Sequence, residues 1–554
     1  MTARFILAAG TLVSAGLLAG CASPGSADST PSRAAARPGA LQHCETLTAQ
    51  FSHPGTRISA AAVQAAGPVG DVPTGAHCLV RGAMNERTGA GGTAYAIGFE
   101  MRLPQAWNGR FWYQANGGID GSVVPAAGAL GGGPVTSALA QGFAVISSDA
   151  GHDNKLTRGP GFGLDPQARL DYGYQAVGML TPMAKALIAA AYGRGPDTSY
   201  IGGCSNGGRH ALVAAARYGD AFDGVVAGAP GYRLPLAAVA NIWGAQQYQR
   251  VATDPKDLGS AFTADERRLV ADAVLARCDA LDGLADGMVQ ASDACAKAFD
   301  LARDVPTCSG DRDGRCLSAA QKQAIGGIFR GATTRDGRAF YAGFPFDAGI
   351  TTKDFAQWEF TAPLQRDSGA VGQIFGTPPR QLAGFDARAF VLDGDVDAML
   401  ASVRATGGAF TESAMQFMTP PDDARLAQLR QRGGRILAYH GVSDAIFSVD
   451  DTEAWWRRVQ RAGGGADVAR LFEVPGMNHC RGGPATDQFD AVSAIVRWVE
   501  HGEAPDRIVA RARAANTDLP ANWARDRSRP LCPYPQVARY TGGDPERAES
   551  FRCQ

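Results

Sequence analysis

The chain has 554 residues, a length that favours one large domain with a big insertion, or two to three domains, over a single compact core. Its 53 Lys and Arg against 54 Asp and Glu leave a formal net charge of −1, which gives no sign of a nucleic-acid surface or an acidic partner. A small molecule is the expected partner.

At the N-terminus, MTARFILAAGTLVSAGLLAGCAS sets one basic residue, Arg4, before an apolar run from Phe5 to Gly20 that ends in small residues. The run is too short for a membrane span and reads as an export signal over residues 1–21. It resembles a bacterial lipoprotein signal, in which Cys21 becomes the lipidated first residue; simple secretion is the alternative. Residues 22–40, rich in Ser, Pro and Ala, read as a flexible tether.

With Cys21 set aside, ten of the eleven cysteines remain, and an even count in an oxidising compartment favours disulfides over zinc, for which no C-x-x-C pair is present. Proximity in sequence suggests Cys44 with Cys78, Cys278 with Cys295, Cys308 with Cys316, and Cys532 with Cys553. That leaves Cys204 and Cys480 to find each other.

From about Gly109, short β-rich runs alternate with helical ones. RFWYQANGG and FAVISSDAG read as strands, LDYGYQAVGMLTPMAKALIAAAYG as an amphipathic helix, and TSYIGG and FDGVVAGAP as further strands. The rhythm resumes with GRILAYHGVSD, ARLFEVPGMNHC and the helix DQFDAVSAIVRWVEHG. This alternation predicts an α/β fold with a mostly parallel sheet covered by helices. Between about 231 and 430 the pattern breaks into helical segments separated by Cys-, Gly- and Asp-rich loops, so 41–230 and 431–554 form the core and 231–430 an inserted domain. No transmembrane helix is expected in the mature chain.

Gly203-Cys204-Ser205-Asn206-Gly207 satisfies G-x-S-x-G, after a predicted strand and opening a predicted helix, the context of a nucleophile elbow. A serine hydroxyl needs a base to take its proton and an acid to orient that base. Of the eight histidines, His479 lies in a loop just after a predicted strand, where a base belongs. His210, on the helix after the serine, and His501 suit solvated or packed roles, and His440 ends a strand. Asp444, closing YHGVSD, is the expected acid. The order Ser205, Asp444, His479 is that of an α/β-hydrolase. The oxyanion donors are expected to be the backbone N–H of Asn206 and a second N–H at Gly117 or Gly118 in YQANGG.

CDALDGLADGMV gathers Asp279, Asp282 and Asp286 in one loop with Gly283 and Gly287. Three carboxylates so placed repel one another unless a cation neutralises them; hard oxygen ligands favour calcium, with the backbone carbonyls of Leu284 and Met288 completing the shell. A solvated acidic turn is the alternative on spacing alone. The acidic runs at 311–314 and 393–397 read as solvated turns.

GCSNGG at 203–208, GVSD at 441–444, PGMNHC at 475–480 and the Asp-rich loop together resemble the tannase and feruloyl esterase family, over about Cys44 to Cys553. The resemblance implies an α/β-hydrolase core with a large lid domain inserted between nucleophile and acid, a structural calcium ion held in the loop pinned by Cys278 and Cys295, and a bond between Cys204 and Cys480. It also implies esters of aromatic acids as substrates, of feruloyl, galloyl or terephthalate-monoester type. Phe447 and His440 match pocket residues of a family member that cleaves a terephthalate monoester, and Trp358 and Phe375 in the lid are candidate aromatic walls. A lid arginine binds the free carboxylate in that member; Arg366 and Arg380 lie nearby, neither in a matching register. Two other readings stay open: a peptidase or amidase with the same triad, and a non-catalytic surface lipoprotein that binds aromatics or glycans.

Overall fold

A computed structural model describes residues 35–130, 132–133, 137–421 and 424–554. The signal segment, Cys21 and most of the tether lie outside the described residues.

The β-rich runs join a nine-stranded sheet. Its strands are β1 (Thr56–Gln64), β2 (His77–Thr88), β3 (Ala94–Pro104), β4 (Arg110–Gln114), β5 (Ala144–Ser148), β6 (Thr198–Cys204), β7 (Gly224–Gly228), β8 (Arg435–Gly441) and β9 (Ala469–Val474), in the order β9-β8-β7-β6-β4-β5-β3-β2-β1. From β9 to β5 every neighbour is parallel. The remaining pairs, β5 with β3, β3 with β2 and β2 with β1, are antiparallel.

Parallel strands covered on both faces read as unbroken apolar runs, and β5, β6 and β7 are buried at every residue. The outer antiparallel strands lack that signal. β1, TRISAAAVQ, is an edge strand mostly open to solvent, and its small side chains leave no sharp alternation to read.

Helices α1 (Ala176–Tyr192), α2 (Asn206–Arg217) and, after the insertion, α7 (Ala491–His501) belong to the core. Between β7 and β8 lie α3 (Leu234–Gln249), α4 (Ala264–Cys278) and α5 (Ala319–Arg330), followed by a helical run over 353–375. Capping boxes start α4, through Thr263 and Glu266, and α5, through Ser318 and Gln321. The 353–375 run opens with one α-turn and continues as π-helical turns at Gln357–Thr361, Pro363–Asp367 and Ala370–Phe375. Such turns are rare and concentrate at functional sites. After β8 comes α6 (Val449–Val459).

The insertion is tied to the core by buried polar groups. Among the described residues Arg169 has no carboxylate partner; it donates to the carbonyls of Gly163 (2.6 Å), Gln373 (2.8 Å) and Gly376 (2.9 Å) and to Thr377 Oγ1 (3.1 Å). Burial lowers its guanidinium pKa to about 9. Ser443, beside the expected acid, donates to Asp347 Oδ1 at 2.5 Å.

All five expected disulfides are formed: Cys44–Cys78, Cys204–Cys480, Cys278–Cys295, Cys308–Cys316 and Cys532–Cys553. They fit an oxidising compartment outside the cytoplasm. The tether reading is corrected at its C-terminal end. Ala36 N–H donates to Glu500 Oε2 (3.3 Å), Arg37 N–H to Asp197 Oδ2 (2.8 Å), and Gly39–Ala40 pairs antiparallel with Ala106–Trp107. Backbone groups that a free tether would leave to water are thus satisfied on the core. Among the described residues no helix is long and apolar enough to cross a membrane.

Candidate active site

Ser205 follows β6 directly and precedes α2, with φ 67° and ψ −128°, a conformation that L residues rarely adopt. The turn is held by Ser205 N–H donating to Gly228 O and by Arg209 N–H donating to Ser205 O, both at 3.0 Å. The flanking glycines have a steric cause. A Cβ on Gly203 would lie 2.1 Å from Ala115 O, and one on Gly207 2.3 Å from the same atom, because the segment leaving β4 passes hard against the elbow. That segment carries the expected second oxyanion donor: a Cβ on Gly117 would stand 3.8 Å from Ser205 Cβ, and Gly118 has φ +70°. Asn206 opens α2, so its N–H is among those a helix leaves without an internal partner.

β8 and β9 pair in register up to Gly441 and Val474, which aligns the loops that follow. Asp444 closes the turn after β8, and His479 follows β9. His479 Nδ1 lies 2.7 Å from Asp444 Oδ2. Asp444 Oδ1 accepts from the backbone N–H of Ile446 (2.9 Å) and Phe447 (3.0 Å). Burial works to raise the pKa of this carboxyl, but His479 and His440 overcome it and hold the group well below the usual carboxylate range. A carboxylate on Nδ1 fixes the proton there and leaves Nε2 as an acceptor. Among the described residues, the buried Nε2 of His479 has no hydrogen-bond partner. Ser205 and His479 each stand one residue from the Cys204–Cys480 bond, whose Cα atoms are 6.1 Å apart.

Two candidate pocket residues meet His479. The rings of Trp358, from the insertion, and Phe447 stand edge-on to the imidazole at 5.2 and 5.3 Å. Phe447 itself is buried and packs against Gly231. Arg366 lies over the Trp358 ring at 4.9 Å, whereas Arg380 lines a separate cavity of about 540 Å³ with Phe390 and Asp395.

Two others are corrected. His440 is fully buried beneath the acid, with Nε2 3.3 Å from Asp444 Oδ2 and 3.0 Å from Phe447 O, and Nδ1 2.8 Å from Thr452 Oγ1. Ending a buried strand, it faces the inner side of Asp444. Phe375, at the end of the last π-helical turn, is 1 % exposed and belongs to the hydrophobic core.

Sequence reasoning missed the groups that brace this pair. Asn478 Nδ2 donates to Gly349 O and Ser443 O, both at 3.2 Å, and Ser443 Oγ accepts from Gly349 N–H at 3.1 Å, so insertion residues 347–349 hold the loops of both Asp444 and His479. Adjacency of Ser443 and Asn478 to the acid and base was the one available signal. Asp354, also of the insertion, has its carboxyl pKa raised by burial and by Asp444 nearby, with His479 opposing.

In the Asp-rich loop, Asp279 accepts from the backbone N–H of Asp286 and Gly287, both at 2.9 Å, and Asp286 pairs with Arg529. Asp282 Oδ1 accepts from Leu284 N–H (3.1 Å), while its buried Oδ2 has no partner among the described residues; burial raises this carboxyl to about 6. As these side chains stand, no three acidic, His or Cys groups among the described residues converge on one point. The donor set is oxygen only, and the orphaned Asp282 Oδ2 fits a hard cation.

The family model of tannase and feruloyl esterase matches residues 78–554. The chain is 40% identical over 517 residues to a mono(2-hydroxyethyl) terephthalate hydrolase of Piscinibacter sakaiensis, covering 86% of this chain and 84% of that protein. It is 27% identical over 472 residues to a probable feruloyl esterase B-1 of Neosartorya fischeri, covering 80% of each. The fold is similar to the crystal structure of feruloyl esterase B from Aspergillus oryzae, with a TM-score of 0.72 at 22% identity over 92% of this chain and 99% of that one. An α/β-hydrolase-type sheet with this elbow and a family match over most of its length make the chain a carboxylic ester hydrolase that belongs to the tannase and feruloyl esterase family.

Proposed function

We propose that the protein is a serine hydrolase of aromatic-acid esters, working through an acyl-enzyme with Ser205, His479 and Asp444. The observation that carries this reading is the His479 imidazole, bonded to Asp444 through Nδ1 while its buried Nε2 has no partner among the described residues. Nε2 takes the proton of Ser205 as Oγ attacks the ester carbonyl, and the N–H groups of Asn206 and of Gly117 or Gly118 receive the developing oxyanion. The imidazolium, stabilised by Asp444, returns its proton to the departing alcohol. Water then repeats the sequence on the acyl-enzyme and releases the acid.

An aromatic acyl group is supported by the relatives that hydrolyse mono(2-hydroxyethyl) terephthalate or are named feruloyl esterases, and by the Trp358 and Phe447 rings at the base. Arg366, over the Trp358 ring, is our candidate for a substrate carboxylate. In the Asp-rich loop, Asp279, Asp282 and Asp286 with the carbonyls of Leu284 and Met288 would hold calcium, which would neutralise the loop's charge and fix it against the C-terminal strands. Export through the N-terminal signal, with a lipid on Cys21 anchoring the chain to the outer membrane, completes the proposal.

The test is turnover of mono(2-hydroxyethyl) terephthalate, methyl ferulate and methyl gallate beside peptide anilides, in wild type and Ser205→Ala. Ester turnover that falls roughly 10⁴-fold or more in the variant is expected. Anilide cleavage without ester turnover, or an undiminished Ser205→Ala, would sink the reading.

A further inference from the structure

Behind the elbow lies a closed polar network that the acyl-transfer steps above do not use. Asp120 stands on the loop that carries Gly117 and Gly118, with φ 54° and its side chain only 2 % exposed. Its Oδ2 accepts from Asn206 Nδ2 at 2.8 Å and contacts His210 Nε2 at 2.9 Å. Asn206 Oδ1 accepts from Arg209 Nε at 2.7 Å, and the same guanidinium donates to Gly173 O (2.7 Å) and Tyr172 O (3.1 Å). Tyr172 Oη in turn donates to Gly118 O at 3.4 Å, and Asp120 N–H to Gly117 O at 3.3 Å. Asn206, Arg209 and Tyr172 are completely buried, and His210 nearly so.

The two expected oxyanion donors sit on different elements, one at the start of α2 and the other on the loop after β4. Within this ring, Asn206 Nδ2 to Asp120 Oδ2 is a direct bond between those elements, and His210 Nε2, also on α2, makes a second to the same oxygen. We infer that Asp120 is a positioning residue that fixes the separation of the two oxyanion donors, with His210 holding its carboxylate and Arg209 supplying the buried positive charge. The inference rests on the catalytic reading of Ser205 given above. Oxyanion donors act on charge that exists only in the transition state, so a change in their spacing lowers kcat and leaves ground-state binding alone. Buried networks of this kind also fail as a unit when one member is lost.

The test is steady-state kinetics of Asp120→Ala and Asp120→Asn on one ester, with inhibition by phenylboronic acid, whose adduct with the serine is tetrahedral. Asp120→Ala is expected to lose about ten- to a hundred-fold in kcat, within the cost of a lost oxyanion donor, with KM nearly unchanged. Its Ki for the boronic acid should rise by the same factor. Asp120→Asn keeps a carbonyl acceptor for Asn206 and His210 and should stay within about threefold of wild type. A folded Asp120→Ala with wild-type kcat, or a kcat loss with no change in boronate affinity, would overturn the inference. Should Asp120→Ala not fold, Asn206→Ala breaks the same bond from α2 and keeps its backbone N–H; the same kcat loss supports the inference and wild-type kcat overturns it. Inactive Ser205→Ala beside a wild-type Asp120→Ala would defeat this inference alone, whereas an active Ser205→Ala would defeat the catalytic reading beneath it.

Discussion

Replacing both Cys204 and Cys480 by alanine cuts the one covalent link between the elbow and the base loop. The bond closes a loop of 276 residues in sequence, for which the chain-entropy relation gives about 5–6 kcal/mol of stabilisation at room temperature. Two shorter disulfides lie inside it, with separations of 17 and 8 residues, and the logarithmic dependence makes their correction only about 0.1 kcal/mol. That magnitude is a large part of the roughly 5–15 kcal/mol typical of a whole fold, so activity must be read at low temperature, where the variant is folded. Stability is measured by urea unfolding, and kcat is normalised to the folded fraction. Since Ser205 and His479 adjoin the two anchors, a displacement of about 1 Å between them should cost on the order of 10²-fold in kcat. Wild-type kcat in the folded variant would refute the alignment role. A loss of stability under about 1 kcal/mol would refute the entropic one.

Two further outcomes follow from the insertion. Burial pushes the Glu359 carboxyl up to about 8, so its protonated form is favoured in the fold; that contribution is full at acid pH and is lost as pH rises through about 8. Stability should therefore fall between about pH 4.5 and pH 8, by on the order of a few kcal/mol, and level off above that, and Glu359→Gln should flatten the fall; equal slopes in the two proteins would contradict it. If the Asp-rich loop binds calcium, EDTA lowers the melting temperature and excess calcium restores it, by about 3 kcal/mol in stability at a hundred-fold excess over Kd. Asp282→Asn should abolish that difference, and a full-length chain indifferent to both EDTA and calcium would refute the site.

The parts of this molecule set by local chemistry were legible in its sequence. Gly203 and Gly207 announced the elbow because only glycine survives the contact with Ala115 O, and the parallel strands β5 to β7 announced themselves as unbroken apolar runs. The cysteine pairs followed from even number and spacing. His479 and Asp444 stood out because a base and an acid are expected on loops after strands, and the two side chains do meet at 2.7 Å. Where a side chain points was not legible. His440 lies at the end of β8, four residues before Asp444, and could equally have faced a pocket; the packing of β8 and α6 turned it beneath the acid, onto Thr452. Phe375 was one aromatic among many, and the π-helical turns of the insertion put it in the core and Trp358 on the imidazole.

The sequence by itself determined the elbow turn, the sulfur pairs and the alternation that makes the sheet, and it singled out the candidate base and acid, because each rests on residue type and short-range order. Tertiary structure decided which polar groups meet across distant segments: Asp120 with Asn206 and His210, Asp347 with Ser443, and Arg169 with the carbonyls of the insertion. Such pairs join residues with no periodic relation in the chain, and they form because a buried donor or acceptor must find a partner within reach once the core has closed around it.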